Sequence, residues 1–300
     1  MEDNRDLISR IEEIEKQLRE LSLTCYELQR EIDRVLHFIN EPAEPLPERH
    51  PVLRILTQRG HSVLSFGDMS EVILPQRPRQ ELYDRYYGLL KKYSFRLFLR
   101  DLLHRDHGED WRNLSRYCST RTARQYINFL SLAGLVEIED NSFAFRYTGP
   151  KVRSFGSTLE WYIAEIFVRE FYAPALFAVK LKNTKHGGDY DVVAGCHGKL
   201  VYVEVKSSPP RGVELPHVES FINRLEDLSP DLAFFLVDTE LRMKDKIVKL
   251  FEEATGREPV RLVRELFYLD NGIYLINARK GITSNIRRCL QHYFYNRRFE

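Results

Sequence analysis

Two short apolar runs joined by a tight turn restrict this chain more than any other feature. Gly187-Gly188-Asp189-Tyr190-Asp191-Val192-Val193-Ala194 is followed, after Gly195–Lys199, by Leu200-Val201-Tyr202-Val203-Glu204-Val205-Lys206. Both runs are rich in β-branched residues and bounded by glycines, the pattern of a hairpin of buried strands. Alternation puts Glu204 and Lys206 on one face of the second strand and Val203 and Val205 on the other. Ionisable groups on an otherwise apolar central strand are costly to bury without partners. Asp191 ends the polar approach to the first strand, where it can stand opposite them.

Those residue types suit one chemistry. Mg²⁺ prefers an octahedral shell of oxygens, with one or two carboxylates and the remainder from water and phosphate. Asp191 and Glu204 supply the carboxylates. A bound ion lowers the pKa of its water and stabilises charge at phosphorus. Lys206 can orient or deprotonate that water and offset charge on the phosphate. Asp189 is an alternative to Asp191.

An Asp on one strand and Glu204-Val205-Lys206 on the next resembles the PD-(D/E)xK, or restriction-endonuclease-like, nuclease superfamily. Tyr190 stands where the family's proline precedes the aspartate. The flanking elements follow the same order: a helix over Ser157–Phe171, a strand over Ala175–Leu181, the hairpin, a helix over His217–Leu228 and a strand over Leu232–Val237. The resemblance implies an αβββαβ core with a central mixed sheet and Mg²⁺ or Mn²⁺ as cofactor. Gly156-Ser157-Thr158-Leu159-Glu160 is similar to the G-x-x-x-E form of archaeal Holliday junction resolvases, which implies Glu160 as a further metal-site acid, with Glu165 its competitor. Ser207 and Arg211, in the loop after Lys206, are candidates for phosphate contact. His186 and His217 flank the constellation without metal-ligand spacing and read as local hydrogen-bonding residues.

Outside that core, Leu7, Ile11, Ile14, Leu18, Leu21, Cys25, Leu28, Ile32, Val35 and Ile39 alternate steps of four and three, a heptad seam over residues 1–40. The expectation is a coiled coil that makes a homodimer. The prolines of Glu41–Pro51 cannot continue a helix, so 41–79 reads as a linker and a poorly defined segment, with short strands at Ser62–Phe66 and Glu71–Leu74. Residues 80–149 give two helices, a short helical stretch from Trp111, a helix from Arg121 with Ser119 or Thr120 as N-cap, and a hairpin over 135–147. That order resembles a winged helix-turn-helix. Arg112, Arg116, Arg121 and Arg124 are its candidate DNA contacts. Residues 150–256 form the nuclease core. Residues 257–300 read as an extension, a hairpin around Asp270-Asn271-Gly272 and a basic helix whose Tyr293, Phe294 and Tyr295 can stack on unpaired bases.

Composition narrows the setting. Among 300 residues the net charge is +1, so overall charge selects no partner. Cys25, Cys118, Cys196 and Cys289 are scattered, which argues against a disulfide framework or zinc site. No apolar run approaches the roughly 18 residues of a membrane span, and the charged start MEDNRDLISR is unlike a signal peptide. The expected protein is a cytoplasmic, homodimeric DNA endonuclease. The rival expectations are a nuclease-fold scaffold that binds without cleaving and a winged-helix regulator. The resemblance also admits a partner ATPase or methyltransferase.

Overall fold

The computed structural model describes residues 50–296, apart from Pro78, 104–108, 139–143, Lys151, Arg153, Asp270 and Asn271, together with Ile14, Gln17 and Leu21. It divides into two units, Met1–Arg49 and His50–Glu300. In the first unit Ile14, Gln17 and Leu21 are helical and exposed. The rest of the heptad seam, and the prolines before His50, lie outside the described residues.

The second unit opens with α1 (Pro51–Gln58) and β1 (Ser62–Ser65). Next come α2 (Gln80–Leu90), α3 (Tyr93–Leu103), β2 (Glu109–Asp110), a 3-10 run at Trp111–Tyr117, α4 (Thr120–Leu132), β3 (Val136–Ile138) and β4 (Ala144–Tyr147). The central portion is α5 (Gly156–Phe171), β5 (Ala175–Lys182), β6 (Asp189–Cys196), β7 (Lys199–Lys206), α6 (Leu215–Leu228) and β8 (Leu232–Val237). Last are α7 (Lys249–Thr255), β9 (Val260–Val263), β10 (Leu266–Leu269), β11 (Ile273–Asn277) and α8 (Ile282–Asn296).

Eight strands form one mixed sheet in the order β1-β5-β6-β7-β8-β11-β10-β9. The pairs β7–β8 and β8–β11 are parallel; the others are antiparallel. Every residue of β8 is buried, as expected of a central strand covered on both faces. One face packs Val192, Val203, Val205 and Phe234 against Leu159, Ile163 and Phe167 of α5 and Ile286 and Leu290 of α8. The other packs Val193, Tyr202 and Phe235 against Val52 of α1, Phe221 of α6 and Phe251 of α7. A separate three-stranded sheet runs β2-β4-β3.

Local chemistry explains the helix ends that matter for the site. Pro51 opens α1, where a missing N–H costs nothing. Glu214 and His217 cap α6 reciprocally, and Ser229 ends it in a left-handed turn. Ser119 accepts the Thr122 N–H to start α4.

Several expectations need correction. The stretch after Pro51 that reads as poorly defined belongs to the fold: α1 helps form one hydrophobic layer, and the short strand expected at Ser62–Phe66 is the edge strand β1, paired with β5. Glu71–Leu74 is not a strand; Val72, Ile73 and Leu74 are buried, and the Ile73 N–H donates to Thr158 Oγ1 of α5 at 3.0 Å. Residues 257–300 are not an appendage, because β11 lies beside β8 in the main sheet. Its basic helix buries Tyr293 in the core, so that ring is not available for stacking on a base. The helical segment 80–149 also shares its core with α5: Tyr86 stacks on Trp161 at 6.3 Å between ring centroids, and Tyr87 meets Tyr162 at 5.7 Å.

Candidate active site

Asp191 sits where two ladders break. Between β5 and β6, Val179 pairs with Tyr190 and Phe177 with Val192, but Ala178 and Asp191 are skipped. Ala178 has a left-handed φ of 47°, uncommon for a residue with a Cβ. Between β6 and β7 the register runs from Cys196↔Lys199 to Val192↔Val203 and stops one step short of Asp191↔Glu204. Side-chain alternation slips at the same residue, since Tyr190 and Val192 belong to opposite layers. The Asp191 carboxylate then takes up a strand N–H that the broken ladder leaves over: Oδ2 accepts from Val205 N at 2.7 Å. The glycines preceding β6 are needed for close approach. A Cβ on Gly188 would meet the Leu181 carbonyl oxygen at 2.2 Å, and Gly187 has a φ of 94°.

Glu204 projects from β7 on the same face as Tyr202 and is only 1% exposed. Its Oε1 accepts from Lys206 Nζ at 2.6 Å. Its Oε2 accepts from Arg224 NH1 at 2.8 Å and from the Tyr202 hydroxyl. Burial works against the Arg224 charge, but Glu204 and Tyr202 outweigh it and hold the guanidinium protonated. Burial, followed by Glu204, pushes the Tyr202 hydroxyl well above its ordinary range.

Glu160 completes the cluster from α5. Burial, then the charges of Asp191 and Glu204, push its carboxyl up to about 8. Burial and Glu204 likewise push Asp191 up to about 7, against the lowering effect of the Val205 N–H and of Lys206 and Arg224. Glu160 has no hydrogen-bond or ion-pair partner among the described residues. Three acids therefore meet two cations, and two of those acids lack compensation. In the other direction, no group of three or more His, Cys, Asp or Glu side chains among the described residues is spaced to hold a metal ion. Both oxygens of Glu204 are also engaged by Lys206, Arg224 and Tyr202. The donor set still fits a hard divalent cation in kind, with carboxylate oxygens of Asp191 and Glu160 left over.

The four residues singled out on the core, Glu160, Asp191, Glu204 and Lys206, thus share one electrostatic cluster. Their competitors do not join it. Asp189 is exposed beside Lys180. Glu165 pairs with Arg169 on its own helix. His217 is engaged in the α6 cap, and His186 lies near Glu226 at the surface. Arg112, Arg116, Arg121 and Arg124 are exposed on the 3-10 run and α4, outside the cluster. Arg112 is tethered to Asp110, with Nε donating at 2.8 Å. Ser207 follows Lys206 and its carbonyl accepts from Arg100 of α3; Arg211 is exposed.

Arg224 is the site residue that the motif missed. A signal existed: it stands three residues after Phe221 and four before Leu228, on the buried face of α6, where an arginine needs a buried acid. A second buried pair adjoins the cluster. The Asp238 N–H donates to the Lys206 carbonyl at 2.8 Å, and the Asp238 carboxylate receives Arg96 Nε at 3.1 and 3.0 Å and NH2 at 2.6 Å. Both side chains are almost fully buried. The cavity of about 630 Å³ lined by Phe171, His197, Leu290 and Phe294 lies elsewhere, at the far end of β6 from Asp191.

No family model matches this chain. No curated protein matches it either. Among solved structures it is similar to protein VC1899 from Vibrio cholerae, at 15% identity and a TM-score of 0.42, over 80% of this chain and 60% of that one. The chain thus spans about 60% of the length of that protein. Among the described residues no helix is long and apolar enough to cross a membrane.

Proposed function

We propose that the cluster of Glu160, Asp191, Glu204 and Lys206 hydrolyses phosphodiester bonds with Mg²⁺ or Mn²⁺, as a PD-(D/E)xK nuclease acting on DNA. The observation that carries this reading is the break in both ladders at Asp191, directly before it would pair with Glu204. A fold whose only need was stability would have no use for an acid at that break, in electrostatic contact with Glu160. Asp191 and Glu160 would hold the cation, joined by Glu204 once its hold on Lys206 or Arg224 loosens. The ion would supply Lewis acidity and an activated water. Arg224 and Tyr202 fix the Glu204 carboxylate in direction. Lys206, released to the substrate, offsets phosphate charge and orients the attacking water. The helix order and the β2-β4-β3 sheet support reading 80–149 as a winged helix that positions DNA, and the heptad seam of 1–40 supports a homodimer.

A second reading, a nuclease-fold scaffold without catalysis, is favoured by the full engagement of Glu204. Purified full-length protein incubated with Mg²⁺ or Mn²⁺ and plasmid, duplex, branched and single-stranded DNA separates the two. Metal-dependent cleavage that disappears in Asp191→Ala, with the melting temperature kept, supports the enzyme. Binding without cleavage at either metal supports the scaffold.

A further inference from the structure

Beyond Lys206 the chain runs directly into a second cleft. Its volume is about 590 Å³, within the roughly 300–1,000 Å³ of small-ligand sites. Pro209 and Pro210 line it on one side and Tyr93 and Leu97 of α3 on another. Pro209 follows Lys206 by three positions, a span of at most ~11 Å. The cleft therefore opens within the reach of one or two nucleotides from the acids.

Its lining has the chemistry of a nucleotide site. Tyr117 is 42% exposed, an aromatic face open to a ligand. Tyr93 is a fixed wall, with the Arg96 guanidinium 5.5 Å from its ring centroid. Arg100, Arg211 and Arg242 contribute three positive charges against the single acid Glu240. Arg100 is tied to the Ser207 carbonyl, which fixes this wall to the residue beside Lys206. Arg242 has only a loose exposed contact with Asp245 at 3.6 Å. Arg211 is exposed and has no partner among the described residues. Aromatic faces beside a basic groove are how unpaired strands are held, because every base has a face to stack.

We infer that this cleft receives an unpaired nucleotide of the strand being cut, its base on Tyr117 and its phosphate on Arg211. The inference rests on the phosphodiesterase reading and deepens it by naming the substrate class: single-stranded or locally unpaired nucleic acid, in preference to a fully paired duplex. Deoxyribose and ribose strands share this chemistry, so both enter the test.

The test uses the full chain carrying Asp191→Asn, in EDTA, with fluorescence anisotropy of a labelled single-stranded oligodeoxynucleotide, its RNA counterpart and the matching blunt duplex. Tyr117→Ala weakens binding of at least one single strand by roughly 5- to 100-fold and leaves the duplex unchanged. Tyr117→Phe, which keeps the ring, restores the affinity. Arg211→Gln lowers the slope of log affinity against log salt by about 0.7, the share of one phosphate contact on a single strand. Single-strand binding that ignores Tyr117→Ala, or equal losses on duplex and single strand in a variant with unchanged melting temperature, overturns the inference. The two readings fail separately. Cleavage with Tyr117-insensitive binding removes the cleft alone. Tyr117-sensitive binding without cleavage at any metal removes the nuclease alone.

Discussion

Two groups of buried charge lie side by side at the end of β7 and β8, and they are balanced differently. Arg96 and Asp238 form a closed pair: three contacts join them, and Arg96 NH1 adds a bond to the Leu90 carbonyl at 2.6 Å. The rings of Tyr93 and Tyr162 border the guanidinium. The neighbouring cluster is open. Glu160 has no partner among the described residues, Asp191 has one N–H, and only Glu204 is fully matched. A closed pair holds segments together, here α3 against the end of β8. An open set of acids carries an energetic cost that a bound cation removes. That contrast separates a structural use of buried charge from the functional one proposed for Glu160 and Asp191.

The contrast can be broken by experiment. Asp191→Ala takes a proposed ligand from the open set and is expected to lower metal-dependent cleavage by about 10²- to 10³-fold, the scale seen when a group that stabilises developing charge is removed. Its melting temperature should hold or rise, because repulsion with Glu204 is relieved. A substantial loss of stability in calorimetry would instead place Asp191 among the structural residues.

The closed pair should answer in the opposite way. Asp238→Asn leaves Arg96 buried without its counter-charge and is expected to cost about 3–5 kcal/mol in urea unfolding. Replacing both, Arg96→Met with Asp238→Leu, should recover most of that loss, since an apolar pair avoids the desolvation of two ions. If the double variant is as unstable as the single one, the pair is not closed in the sense argued.

The third expectation concerns pH. The folded carboxyls of Asp191 and Glu160 sit at about 7 and about 8, above their unfolded values of 3.8 and 4.5. The folded state thus holds these protons more tightly. Their contribution to stability is complete below the unfolded values and is lost as pH rises through about 7 to 8. In EDTA the melting temperature should fall between pH 5 and pH 8, and Glu160→Gln should flatten that fall. Mg²⁺ or Mn²⁺ should restore stability at pH 8 in the parent and less in Glu160→Gln. A melting profile in which Glu160→Gln tracks the parent sinks the assignment.

The smallest effect belongs to exposed charges. Arg121→Gln on α4 should reduce the salt slope of duplex binding by about 0.9 without changing stability. Arg112→Gln should do less, because that guanidinium is already held by Asp110. Equal slopes for both variants and the parent would remove residues 80–149 from the proposed DNA surface.

Sequence reasoning reached the hairpin of β6 and β7, the helix before it and β8, because each is written in local pattern. Val192-Val193-Ala194 and Val203-Glu204-Val205-Lys206 carry their own period and their own glycines. It did not reach the pairing of β11 with β8. A parallel neighbour is chosen by a long crossover, and no residue of Ile273–Asn277 names its partner. For the same reason the short strand expected at Ser62–Phe66 had no assigned neighbour, although Ser62 pairs with Lys182 across a long separation. Arg224 was hidden differently. Its meaning depends on Glu204, which a helix pattern alone does not contain.

The position of β11 has a consequence for the life of the molecule on the ribosome. β8 needs β11 on one side, and β11 is made well after Glu204 and Lys206. While Ile273–Asn277 is still unmade, one long edge of β8 stands bare, with its N–H and C=O groups unmatched. The hairpin bearing the acids is then present on a half-built support. The support of the acid cluster is therefore complete only once Ile273–Asn277 has been made and has paired with β8.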